Sequence, residues 1–138
     1  MKIWKIIVPI LVLLWLDWWS KYLFYTLKFW EDFLLLNPVF NTGISRWMSA
    51  NLSIIIVISF VGLGLFYWLW RGKNIDSIGF IFLIAGTLWN LLDRIVLGWV
   101  RDFISIGNFP VFNLADCYLT IAVCWIIWTI MKDGGKKH

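Results

Sequence analysis

Two aspartates, Asp102 and Asp116, flank the 13-residue stretch 103–115, which contains Gly107-Asn108 and Pro110. Apolar segments lie on either side, one ending near Leu97 and one beginning near Leu114. A compact loop between them would join two antiparallel helix ends and bring two carboxyl groups face to face. Close carboxyls in a partly dry site cannot both ionise, so one keeps a proton near neutral pH. The ionised member can take a proton from a water that attacks a peptide carbonyl. The protonated member can hydrogen-bond the carbonyl oxygen and then deliver a proton to the leaving nitrogen. That is aspartic-protease chemistry. Spacing alone leaves the plainer reading open, two solvated acids beside a loop.

Other polar groups gather around the pair. Asp17 and Lys21 are four apart, so on a helix they share a face in the favourable acid-first order. They suit an intramembrane ion pair, with substrate orientation as the alternative. Gly86, Asn90, Asp93 and Arg94 form a second group. At about 100° per residue the last three fall within roughly a 100° arc, and Gly86 permits a close helix approach. Counted from Asp76, Asp93 lies roughly 26 Å along the helix, at the edge of a hydrocarbon layer. It therefore needs partners, with Asp17 and Lys21 among the candidates, in a network that is structural or that lets Arg94 face a ligand. If that helix ran on unbroken, Asp102 would point about 180° away from Asp93. Gly98 offers a place to break it.

The elements that must position these residues follow from composition. Of 138 residues 62% are apolar and only 14% charged, against about a quarter charged in a soluble domain. The expected fold is an all-α integral membrane protein, one domain over 1–138, with four spans near 3–25, 52–70, 78–97 and 114–131. Pro9 is tolerable within the first. That segment resembles a secretory signal peptide at its start, but no small-residue cleavage site follows, so it reads as a retained helix. Four spans place both ends on one side. Lys2, Lys5, Arg71, Lys73, Lys132, Lys136 and Lys137 would lie there with Asp76 and Asp133. The cation excess makes that side cytoplasmic. The outer side then collects the polar groups above. The scattered cations form no basic stripe for nucleic acid. Cys117 and Cys124, about 10.5 Å apart in helical rise, fit packing better than a disulfide or a metal site. The twelve tryptophans read as interface anchors and lipid-facing bulk.

With these residues in place, the chain resembles the lipoprotein signal peptidases (signal peptidase II). Leu16-Asp17-Trp-Trp-Ser-Lys21 and Asn41-Thr-Gly43-Ile-Ser45 match the first two motifs of that family. Gly86-Thr-Leu-Trp-Asn90-Leu-Leu-Asp93-Arg94 with Gly98-Trp-Val-Arg-Asp102-Phe103 matches the third, and Phe112-Asn113-Leu-Ala-Asp116 the fourth. The resemblance implies a bacterial inner-membrane aspartyl endopeptidase that cuts signal peptides from prolipoproteins just before a diacylglyceryl cysteine. It implies no cofactor or metal. Its partners would be lipid-modified prolipoproteins, membrane lipids and globomycin-type inhibitors, without nucleic acid, and a monomer is expected. By the same resemblance Asp102 and Asp116 are catalytic, while Asn41, Gly43, Asn90, Arg94 and Asn113 line the substrate pocket. Asp17, Lys21, Asp93 and Gly86 shape and support it. It further implies a small extracytoplasmic β-hairpin or cradle near 30–50, for which 33–40 and a turn at Asn41-Thr-Gly43 are suited. One departure stands out. Arg101 occupies a position that is aliphatic in most relatives, and a cation there would favour the charged form of Asp102. A small transporter is the rival class, but its coupling carboxylate belongs near the middle of a span.

Overall fold

The structure, a computed structural model, describes residues 2–26, 36–41 and 51–134, with 36–41 and 133–134 described by their backbone only. Four helices are each long and apolar enough to cross a membrane. They are α1 (Trp4–Tyr25), α2 (Leu52–Arg71), α3 (Ser77–Leu97) and α4 (Leu114–Gly134), with strand β1 (Leu36–Asn41) between α1 and α2 and β2 (Val100–Ile104) between α3 and α4. Local chemistry marks several boundaries. The side chain of Asn51 accepts a hydrogen bond from Ser53 N–H (2.9 Å) at the start of α2, and Asp76 does the same for Gly79 N–H (2.9 Å) at the start of α3. Gly98 ends α3 in the left-handed conformation, φ 81°, with its N–H donated to the Arg94 carbonyl. The break expected at Gly98 is therefore a helix stop that releases the chain into β2.

α3 is the central helix and packs against α1, α2 and α4. Its small residues let α4 come close. A Cβ on Gly86 would stand 2.6 Å from the Ala115 carbonyl oxygen and 2.8 Å from Leu119 Cγ. Ala85, Ala115 and Ala122 are fully buried. At the opposite end of the same pair, Asp76 holds both helices, capping α3 with Oδ1 and accepting from Trp125 Nε1 of α4 with Oδ2 (2.8 Å). α2 packs chiefly on α3, where Trp70 stacks on Phe80 (centroids 4.6 Å apart). The outward faces are apolar. Trp15, Trp18 and Trp19 of α1, most of α2 and Trp128 of α4 are exposed, as suits surfaces solvated by lipid.

β1 and β2 pair antiparallel in a two-stranded sheet, with Val39 opposite Asp102, Phe40 opposite Arg101 and Asn41 opposite Val100. The register is irregular between Leu36 and Val39, where Pro38 has no N–H to donate. The strand expected between α1 and α2 thus has its partner beyond α3. The expected turn at Asn41-Thr-Gly43 and the remainder of the 30–50 region lie outside the described residues. Past β2 the chain folds back. Ile104 and Phe112 exchange backbone hydrogen bonds (2.8 and 3.0 Å), and Gly107 (φ 53°) serves the turn between them.

Because position 86 abuts backbone rather than a side chain that can swing away, Gly86→Ala is expected to cost about 1–3 kcal/mol through overpacking. Gly64→Ala is the matched control, since a Cβ there meets nothing within 4 Å. Thermal unfolding of the two solubilised variants checks this, and equal midpoints would contradict the close α3–α4 contact.

Candidate active site

The polar end of the bundle is organised by an ion chain without water around it. Asp17 and Lys21 are both 0% exposed and Asp93 is 2% exposed. Lys21 Nζ lies 2.6 Å from Asp17 Oδ2 and 3.0 Å from Asp93 Oδ2, joining α1 to α3. Asp93 is completed by Arg101 of β2, whose Nη2 lies 2.7 Å from Oδ1 and whose backbone N–H donates to Oδ2 (3.2 Å). Asp17 has a second task, because its Oδ1 accepts the backbone N–H of Ala115 at 2.8 Å. That donor belongs to the first turn of α4, where N–H groups have no partner within the helix. Four charges of alternating sign therefore tie together α1, α3, α4 and β2.

Beside this chain, Asn113 and Asp116 cap α4 reciprocally. Asn113 Oδ1 accepts from Asp116 N–H (3.1 Å), and Asp116 Oδ2 accepts from Asn113 N–H (3.1 Å). This is a capping box with an aspartate in the third helical position. With its oxygen committed to Asp116, the Asn113 amide must point its nitrogen the other way. It donates to Asp102 Oδ1 (2.7 Å) and to Asn90 Oδ1 (3.0 Å). Asn90 in turn donates Nδ2 to Asp116 Oδ1 (2.8 Å). The two aspartates are thus linked by two asparagines whose amide orientations the network itself dictates. Asp102 and Asn113 are buried (2% and 0% exposed), whereas Asp116 is only half-buried. Arg94 stands alongside, with Nη1 donated to the Asn90 carbonyl (3.1 Å).

A sequence model of the family described as signal peptidase (SPase) II matches residues 9–132. The chain belongs to the signal peptidase II family. Among curated relatives, the lipoprotein signal peptidase of Enterococcus faecalis is 33% identical over 139 residues, covering 89% of this chain and 86% of its own. That of Gloeothece citriformis is 31% identical over 131 residues, covering 82% and 76%. The match to the Lactiplantibacillus plantarum lipoprotein signal peptidase is 39% identical but local, spanning 59% of this chain and 56% of that one. The matches to the lipoprotein signal peptidases of Dehalococcoides mccartyi and Caldicellulosiruptor bescii are shorter still, spanning 35% and 43% of those chains, so the chain spans only about half or less of several curated relatives. A solved structure titled as a bacterial membrane enzyme superposes with a TM-score of 0.85 at 27% identity, covering 99% of this chain and 93% of that one.

Most residues singled out by the family motifs converge at one end of the bundle. Asp17, Lys21 and Asp93 form the ion chain, Asn90, Asn113, Asp102 and Asp116 the amide-linked pair, and Gly86 the contact beneath Ala115. Asn41 ends β1 opposite Val100, its side chain undescribed, and Gly43 lies outside the described residues. Arg101 departs from expectation. Its guanidinium makes its hydrogen bonds to Asp93, on the face of the strand away from the Asp102 side chain, because successive strand residues point to opposite faces. Tyr25 was not anticipated. Its hydroxyl donates to the Asp102 carbonyl oxygen (2.8 Å), and Phe24 stacks on Phe103 (4.4 Å). The usable signal was spacing, since Asp17, Lys21 and Tyr25 succeed one another at intervals of four on one helix face.

Removing the lysine while leaving both carboxylates should be severe. Lys21→Met is expected to lose about 3–5 kcal/mol, the usual result of stranding a buried charge, seen as a large fall in the unfolding midpoint of the solubilised protein. A midpoint like that of the parent would show that the ion chain does not hold these elements together.

Proposed function

We propose that this chain is a membrane aspartyl endopeptidase that removes the signal peptide of diacylglyceryl-modified prolipoproteins immediately before the lipidated cysteine. The observation that carries the reading is that Asp102 and Asp116 are linked through the side-chain amides of Asn113 and Asn90 where β2 meets the start of α4. Family membership and the names of the curated relatives supply the substrate class.

The reaction follows from the pair. One carboxylate takes a proton from a water whose oxygen attacks the scissile carbonyl carbon. The other, protonated, donates to the carbonyl oxygen as it becomes an oxyanion. Collapse of the tetrahedral intermediate breaks the C–N bond, and a proton from the pair goes to the departing amine of the cysteine. The pair ends as it began, with one shared proton. Asn113 and Asn90 fix the two carboxyls before substrate arrives, so little reorganisation accompanies the chemistry. Asn41, Gly43, Asn90, Arg94 and Asn113 would hold the substrate, while Asp17, Lys21, Asp93 and Gly86 maintain the frame.

Depth supports the same reading. The substrate's acyl chains sit in one leaflet and its signal peptide is an apolar helix, so the scissile bond lies at the hydrocarbon edge. Asp102 follows the end of α3 and Asp116 opens α4, which is that level. With both termini cytoplasmic the site faces the outer leaflet of a bacterial inner membrane. Carboxylates at span ends rather than mid-span fit hydrolysis better than ion-coupled transport.

Asp102→Asn and Asp116→Asn each keep the shape of the side chain and one of the two carboxylate oxygens as an acceptor. Each variant is expected to stay folded and to lose about 10²–10⁴-fold in cleavage of a lipidated precursor, measured with purified protein and a diacylglyceryl substrate. Undiminished cleavage by either would remove that aspartate from the mechanism.

A further inference from the structure

The guanidinium of Arg101 lies on the face of β2 opposite Asp102, and Arg101 is anchored through both its side chain and its main chain. Arg101 Nη2 and Nε reach Asp93 Oδ1 at 2.7 and 3.2 Å, Nε lies 3.4 Å from Oδ2, and the Arg101 backbone N–H donates to Oδ2 at 3.2 Å. A single carboxylate on α3 therefore grips the main chain and the side chain of one residue. That double hold fixes the place of the residue and the orientation of the strand. The peptide that follows begins Asp102, whose own carbonyl oxygen is held by the Tyr25 hydroxyl from α1. Asp102 is thus pinned on both sides along the backbone, and its carboxyl meets Asn113 from α4.

The grip matters because of what precedes it. Gly98 ends α3 in the left-handed conformation and only Trp99 and Val100 separate it from Arg101. Without this anchor, β2 would lose its direct polar tie to α3 at the point where it leaves that helix, and its angle would rest on strand pairing, apolar contact and the bonds of Asp102 to Tyr25 and Asn113. An aliphatic side chain at 101 would preserve the backbone N–H bond but lose every guanidinium contact to the Asp93 carboxylate.

We propose that Arg101 is a positioning residue for Asp102, acting through Asp93 to set the carboxyl at the distance and angle the reaction needs. The proposal rests on the endopeptidase reading above. Because the guanidinium faces away from Asp102 and onto Asp93, its loss should slow turnover without weakening substrate binding. Small misplacements of a reacting group cost up to about a hundredfold. Arg101→Leu is therefore expected to lower kcat by about tenfold or more, with KM changed less than about twofold. Arg101→Lys, which keeps the charge but not the fork, should recover part of that loss.

Steady-state cleavage of a diacylglyceryl precursor by the parent, R101L, R101K and D102N separates the outcomes. Parent-like kcat in R101L, or a change confined to KM, overturns the proposal, as does a kcat loss that R101K does not relieve at all. If R101L cannot be recovered folded, R101K alone decides, with a kcat-only loss supporting the proposal and parent-like kcat refuting it. Undiminished activity in D102N would instead overturn the aspartyl endopeptidase reading, and strongly impaired D102N beside parent-like R101L would overturn only the role of Arg101.

Discussion

A lysine with no exposed surface, inside a protein built to sit in hydrocarbon, is the constraint from which the rest of this structure follows. Lys21 can stay charged there only beside carboxylates, and the two it meets come from different places, Asp17 one helical turn away and Asp93 on another helix. Neither acid is used up by the lysine. Asp17 also satisfies Ala115 N–H at the head of α4, and Asp93 also takes Arg101 of β2. Ala115 and Arg101 are the residues immediately before Asp116 and Asp102. One ammonium group thereby fixes, through two carboxylates, the approach of the backbone to both members of the pair. Burying ions is rarely a net gain in stability, and its best-attested return is specificity of arrangement.

The site itself is assembled largely from helix ends. Apolar spans leave their first N–H groups unsatisfied where they emerge, and in low dielectric each such group is costly. α4 answers this with the Asn113–Asp116 box and with Asp17 from α1. At the other polarity, the C-terminal end of α3 leaves carbonyls rather than N–H groups unsatisfied, and Gly98 donates its N–H to the Arg94 carbonyl before the chain turns into a strand. The carboxylate of Asp116 is thus both a helix cap and a member of the proposed reactive pair, while Asn113 both caps and bridges. Packing supports the arrangement from below, since the absence of a side chain at Gly86 lets the Ala115 carbonyl rest against α3.

Much of this was readable from the sequence, and where it was not the reasons are physical. Four long apolar runs, the stop at Gly98 and the loop between Asp102 and Asp116 follow from local composition and turn chemistry, which act over a few residues. The Asp17–Lys21 pair follows from helical spacing. The contact of Asp17 with Ala115 spans 98 positions, and no local pattern announces it. The pairing of β1 with β2 is equally remote, for a strand pattern does not name its partner. Arg101 misled for a sharper reason. Adjacency in sequence suggests adjacency in space, but in a strand it guarantees opposite faces. The bridging by Asn90 and Asn113 depends on which way two amides turn, and that is set only once three elements have met.

The double duty of Asp116 bears on how such a chain can age. A descendant that lost the proposed chemistry would still need an acceptor at position 116 to start α4, whereas the Asp102 carboxylate meets that cap through the side-chain amide of Asn113. Drift would then erode the two sites at different rates, with the strand residue lost first. Among divergent copies, an aspartate at 116 would testify mainly to an intact helix, and one at 102 would be the better sign of the proposed chemistry.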